Sequence, residues 1–128
     1  MRALLDTCTV IWATLSPDKL SPEAQAVISD ESNLICVSAA SAWEIATKVR
    51  LGKLPGAENL ERNFLEVMDE AGYSPLAIDM ASALRAGRLP SQHRDPFDRI
   101  IAAQALGLDI PVVSPDPSFD QFGVRRVW

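Results

Sequence analysis

The chain has 128 residues, close to the commonest size of one domain. Hydrophobic residues make up 48% and charged residues 23%, a balance that excludes a disordered chain and allows a real core. The net charge of −5 excludes a strongly basic, sequence-blind nucleic-acid binder, but acids neutralised by metal would leave a nucleic-acid substrate open.

Short apolar runs alternate with helical patterns. Residues 2–6 predict a first strand and 8–15 a short helix that ends before Ser16-Pro17. Ser21-Pro22-Glu23 opens a second helix, with a cap, a proline at the first position and an acid in the first turn. Residues 33–37 predict a second strand. Ser38 caps the next helix, which stops at Gly52. Leu54-Pro55-Gly56 marks a turn, and 58–71 one amphipathic helix with Leu60, Phe64, Leu65 and Met68 at helical spacing. A weak strand over 73–78, interrupted by Pro75, precedes a short helix from Asp79 to Ala86 that Gly87 ends. Leu89 to Arg94 is a loop. Asp95 caps a helix from Pro96 to Leu106, with Gly107 as its stop. Residues 110–113 predict a strand, roughly 117–122 a turn of helix, and 124–127 an edge strand. The alternation predicts an α/β domain over 1–128, with a mostly parallel sheet of four or five strands covered on both faces.

No run approaches the ~20 apolar residues of a membrane span. Asp6 breaks the apolar stretch after Arg2, which is not a signal-peptide pattern. Cys8 and Cys36 lie in apolar segments and are expected as reduced thiols. The expectation is a cytoplasmic, soluble protein.

Four acids stand at element boundaries or near them. Asp6 closes Ala3-Leu4-Leu5, Asp98 begins a helix, Asp116 follows Ile110-Pro111-Val112-Val113, and Glu44 lies inside a helix. In an open parallel sheet, ligands bind beyond the carboxyl ends of the strands. Acids that converge there repel one another, and a cation keeps them ionised together. The acids therefore suggest a Mg²⁺ or Mn²⁺ site. Each also has a structural explanation. Asp95 and Asp116 precede prolines as N-caps, and Asp98 suits the helix dipole. Glu44 has Lys48 at i,i+4 on a wet helix face. Asp6 has the weakest such explanation, because Thr7 could have capped instead. His93 is the sole histidine and reads as a loop hydrogen-bonder. There is no Cys/His zinc cluster, no Gly-rich phosphate loop and no Gly-x-Ser-x-Gly elbow.

Four blocks carry a resemblance. They are Leu4-Leu5-Asp6-Thr7 with Trp12, and Val37-Ser38 with Ser41-Ala42-Trp43-Glu44-Ile45 and Lys48. The third is His93-Arg94-Asp95-Pro96-Phe97-Asp98-Arg99 with Ala102-Ala103-Gln104-Ala105, and the last Val112-Val113-Ser114-Pro115-Asp116 with Phe119. In this order they resemble the PIN-domain ribonucleases, and among them the VapC-type toxins of toxin–antitoxin pairs. The resemblance implies a PIN-like α/β/α sandwich and a metal-dependent endoribonuclease that hydrolyses RNA with metal-activated water. It assigns the metal site to Asp6, Glu44, Asp98 and Asp116. Ser114 would orient the last acid or the attacking water, and Asp95 would be an accessory acid. Lys48, Arg94 and Arg99 are candidates to hold the RNA backbone. A homodimer is expected, as is a VapB-like antitoxin that inserts an Arg near the acids. Alternatives are a housekeeping RNA-processing PIN nuclease, an aspartyl-phosphate phosphotransfer domain and an inert binding module. The phosphotransfer reading lacks its second acid, since Cys8 stands two residues after Asp6.

Overall fold

The structure is a computed structural model that describes residues 1–128. Five parallel strands form one sheet: β1 (Arg2–Leu5), β2 (Leu34–Ser38), β3 (Ser74–Leu76), β4 (Val112–Val113) and β5 (Arg126–Val127). Their spatial order is β3-β2-β1-β4-β5, and every neighbouring pair is parallel. The mostly parallel sheet expected from sequence is thus wholly parallel, with five strands. Pro75 is accommodated because β3 is an edge strand that pairs with β2 alone.

Alternation along the strands divides the core into two layers. Ala3, Leu5, Ile35, Val37 and Val113 point into one, against Val10, Leu20, Ala24, Ile45, Leu60 and Met68. Leu4, Cys36 and Val112 point into the other, against Ile101, Ala102, Ala105, Phe119 and Phe122. The first layer is covered by α1 (Thr7–Leu15), α2 (Pro22–Ser29), α3 (Ala39–Arg50), α4 (Glu58–Arg62) and α5 (Phe64–Glu70). The second is covered by α7 (Pro96–Leu108), with α6 (Met80–Arg88) packed on it, and by the 3₁₀ segment Pro117–Phe122. No helix is long and apolar enough to cross a membrane.

Three helix boundaries differ from the sequence expectation. The amphipathic stretch 58–71 is two helices broken at Asn63, whose side-chain amide donates to the Asn59 carbonyl at 3.0 Å. That side-chain bond competes with the helical backbone ladder. Gly87 lies inside α6, which ends at Arg88. Gly107 likewise lies inside α7, and Asp109 takes the left-handed cap with φ 53°. Neither Gly87 nor Gly107 needs a positive φ, so neither acts as a stop.

Candidate functional site

The register brings the carboxyl ends of the central strands level. Leu5 pairs with Val37 on one side and Val113 on the other. The next residues, Asp6, Ser38 and Ser114, therefore emerge together. The chain order reverses between β1 and β4, which makes this edge the topological switch point where open α/β sheets bind ligands.

Asp6 is buried and caps α1, accepting from the Thr9 backbone N–H at 2.8 Å. Its other oxygen accepts from the Ser114 hydroxyl. Ser114 in turn accepts from the Asp116 backbone N–H at 3.0 Å. Ser114 thus joins the two acids across the switch point, and its hydroxyl holds Asp6 rather than the Asp116 carboxylate. Burial pushes the Asp6 carboxyl up, the Ser114 and Thr9 bonds pull it down, and the Asp116 charge pushes it up again. The net shift is upward. Asp116 caps the 3₁₀ segment, accepting from Ser118 N–H at 2.9 Å. Partial burial raises its carboxyl, but the Ser118 bond and the charges of His93 and Arg126 hold it below its usual value.

Glu44 is buried on α3, so it does not sit on the wet face its i,i+4 spacing suggested. One carboxylate oxygen takes the Lys48 ammonium, and the other is buried with no hydrogen-bond partner. An orphaned anionic oxygen in a buried place is costly unless something cationic reaches it. The Glu44 contact raises the Lys48 ammonium, with smaller contributions from the Asp95 and Asp98 charges, so Lys48 lies within electrostatic reach of three acids.

Asp98 lies in the first turn of α7, which Asp95 caps by accepting from Phe97 and Asp98 N–H at 2.9 and 3.1 Å. The Asp98 carboxyl is pushed up to about 6. Burial is the main cause, opposed by a contact with His93 and reinforced by the charges of Asp95 and Glu44. That contact, His93 Nε2 to Asp98 Oδ2 at 2.9 Å, is the feature sequence reading missed. The two are five positions apart, and only the loop path between α6 and α7 brings them together. Cys8 also reports the convergence: burial and the charges of Asp6, Glu44 and Asp116 push its thiol up to about 11.

Asp6 therefore feels Asp116 and Asp98 feels Glu44, while Asp6, Glu44 and Asp116 all act on Cys8. The donor chemistry suits a hard divalent cation, and the orphaned Glu44 oxygen calls for one. The side chains do not, however, stand as a ready-made cage: no three His, Cys, Asp or Glu residues are grouped closely enough to hold a metal ion.

Of the basic candidates, Arg94 is exposed and Lys48 is paired with Glu44. Arg99 is not free for RNA. All five of its N–H groups face backbone carbonyls of residues 86–93. Beside the site, α3 and α5 flank an apolar groove of about 470 Å³ lined by Ala39, Ala42, Phe64, Leu65, Met68 and Tyr73, among others.

A family model described as the PIN domain matches residues 3–124. The chain belongs to the PIN-domain family. Ribonuclease VapC16 of Mycobacterium tuberculosis is 45% identical over 71 residues, covering 54% of this PIN domain and 50% of that relative. The chain thus spans about half the length of the curated relative it matches. Three solved structures share the fold. VapBC2 from Rickettsia felis, bound to a DNA fragment from its promoter, has a TM-score of 0.70 at 14% identity, covering 98% of this chain and 97% of that one. VapBC-1 from nontypeable Haemophilus influenzae has a TM-score of 0.65 at 17% identity, covering 98% and 96%. FitAcB from Neisseria gonorrhoeae has a TM-score of 0.63 at 22% identity, covering 97% and 95%.

Proposed function

We propose that this PIN domain is a divalent-metal-dependent endoribonuclease, and that it acts as a cytoplasmic toxin of the VapC type. One observation carries the reading. Asp6 and Asp116 influence each other across the switch point, Asp98 feels Glu44, the charges of Asp6, Glu44 and Asp116 all reach Cys8, and burial holds Asp6 and Asp98 above their usual pKa. Such an arrangement costs free energy in the free protein and is relieved by a cation. The likeness to a ribonuclease VapC supports RNA as substrate.

Asp6, Glu44, Asp98 and Asp116 would hold Mg²⁺ or Mn²⁺. When bound, the cation supplies an acidified water and charge neutralisation at the scissile phosphate. The chain's own residues do the positioning. Ser114 fixes the Asp6 carboxylate by donating to Oδ2. The Asp95 cap fixes the first turn of α7 and with it Asp98. Lys48 holds one Glu44 oxygen while leaving the other without a protein partner. Arg94, which is exposed, would meet the RNA backbone.

The partner in this reading is an antitoxin. Its Arg would enter the acidic crevice, pair with carboxylates and compete with the cation. Its apolar side chains would lie in the groove between α3 and α5, as a helix does. VapBC and FitAcB complexes of like fold support a two-protein system. The test is RNA cleavage at saturating Mn²⁺ by the wild type, Asp6→Asn and Asp98→Asn, with 5′-end sequencing after brief induction. Cleavage should vanish in both variants. Equal rates in all three proteins would sink the reading.

A further inference from the structure

Arg99 has an unusual commitment for a residue beside an acid in a charged crevice. From the first turn of α7 its guanidinium reaches back to the end of α6 and the loop after it. Nε donates to the Ala86 carbonyl at 3.0 Å. Nη1 donates to the Ser91 and His93 carbonyls, both at 2.9 Å. Nη2 donates to Leu89 at 2.7 Å and, more weakly, to Gly87 at 3.5 Å.

Residues 89–95 form no helix or strand. Their carbonyls, and those at the end of α6, have no ladder to join. A rigid five-donor fork fits such a set, and its bonds are charge-assisted. A lysine has three donors on one flexible atom and cannot reproduce it. The same loop carries His93. Its backbone N–H donates to the Ser91 hydroxyl at 3.1 Å, and its ring lies edge-on to Phe122 with centroids 5.5 Å apart. Its Nε2 then meets Asp98 Oδ2. Arg99 and Asp98 are adjacent in sequence, so one turn of helix carries both the acid and the anchor of the loop that touches it.

We propose that Arg99 is a positioning residue that acts through His93 on Asp98. By fixing the loop, it seats the His93 ring on one carboxylate oxygen and leaves the other free to turn into the crevice. This rests on the metal-nuclease reading for its consequence, which is cation affinity. Partners that orient a ligating carboxylate typically change metal affinity by about 10–100-fold when removed.

The test uses the purified full chain and Mn²⁺ alone, without RNA. His93 is the only histidine, so its ring gives a single set of NMR resonances. At fixed pH and without metal, Arg99→Lys and Arg99→Ala should shift those resonances to where Asp98→Asn puts them, with the far-UV circular dichroism unchanged. Mn²⁺ titration should give about a tenfold weaker Kd for Arg99→Ala and for His93→Ala. The double variant should be no weaker than His93→Ala. Arg99→Lys keeps the charge, so a loss there separates fork geometry from charge. Unmoved ring resonances in both Arg99 variants would overturn the proposal. So would a further tenfold loss when Arg99→Ala is added to His93→Ala. Failure of the wild type to bind Mn²⁺ would instead overturn the metal reading, and the ring resonances would still decide the positioning role.

Discussion

Burial pushes the Asp98 carboxyl up to about 6, the His93 contact pulls against it, and the Asp95 and Glu44 charges add to the rise. The native state therefore holds this proton more tightly than the unfolded chain, whose ordinary value is 3.8. A raised carboxyl makes stability fall as pH rises from about 4 to about 6, and the full penalty persists above that window. We expect Asp98→Asn to melt a few degrees above the wild type in EDTA at pH 7.5, with the gap closing below about pH 4. Saturating Mn²⁺ should narrow or reverse the gap, because the cation stabilises only a protein that binds it. Thermal melts across pH, with and without metal, check both statements. Ser114 is a second residue whose role is specific. Ser114→Ala removes the donor to a buried carboxylate and the acceptor for the Asp116 N–H. Leaving such groups unpaired costs about 1–3 kcal/mol each, so a loss of that size is expected in urea denaturation, together with loss of cleavage. Unchanged stability would mean that water replaces the hydroxyl at no cost.

At the scale of elements, α7 carries most of what sequence could and could not reveal. Its start was legible because Asp95-Pro96 is a strong local signal, and the Asp95 carboxylate does cap the helix. Its end was not, because Gly107 reads as a stop but sits in ordinary helical conformation two residues before the true cap. A Cβ at Gly107 would meet only Arg85 Nε, at 3.8 Å. Gly107→Ala should therefore stabilise the protein by about 0.5–1 kcal/mol, read as an upward shift of the urea midpoint. Asp95 allows cap and chemistry to be separated. Asp95→Ser keeps a capping oxygen and removes the charge. Unchanged melting temperature and cleavage would mark Asp95 as a cap alone. Loss of cleavage at unchanged melting temperature would add it to the acidic site.

At the scale of the whole molecule, the question is what covers the remaining apolar surface. Trp12 and Trp128 pack on each other at 5.9 Å and against the core. Trp43 differs: it is 55% exposed, with Phe97 edge-on at 4.7 Å. Leu65 on α5 and Met80 and Leu84 on α6 are also exposed, at 84%, 86% and 55%. Isolated exposed apolar residues are normal, but Leu65 on α5 lines a groove. We expect a homodimer in light scattering at high micromolar concentration, and a monomer mass there would contradict it. We further expect inhibition by a cognate antitoxin to weaken as Mg²⁺ rises, and to weaken when its inserted Arg becomes Ala. Cleavage by the purified complex across a Mg²⁺ titration reads both, and insensitivity to each would point to occlusion away from the acids.

By itself the sequence determined the order of strands and helices apart from the break at Asn63, the caps at Ser21, Ser38, Asp95 and Asp116, and the presence of four acids, three of them at element boundaries. These are local properties: apolar period, cap chemistry and the residue types that follow a buried run. Only the tertiary structure decided what the acids meet. The level register of Leu5, Val37 and Val113 joins Asp6 to Ser114 across 108 positions. Packing buries Glu44 and orphans one of its oxygens, although its spacing to Lys48 suggested an exposed pair. The loop after α6 turns Arg99 from a free cation into an anchor and brings His93 onto Asp98. Such contacts depend on where distant segments pass one another, and no period along the chain encodes that.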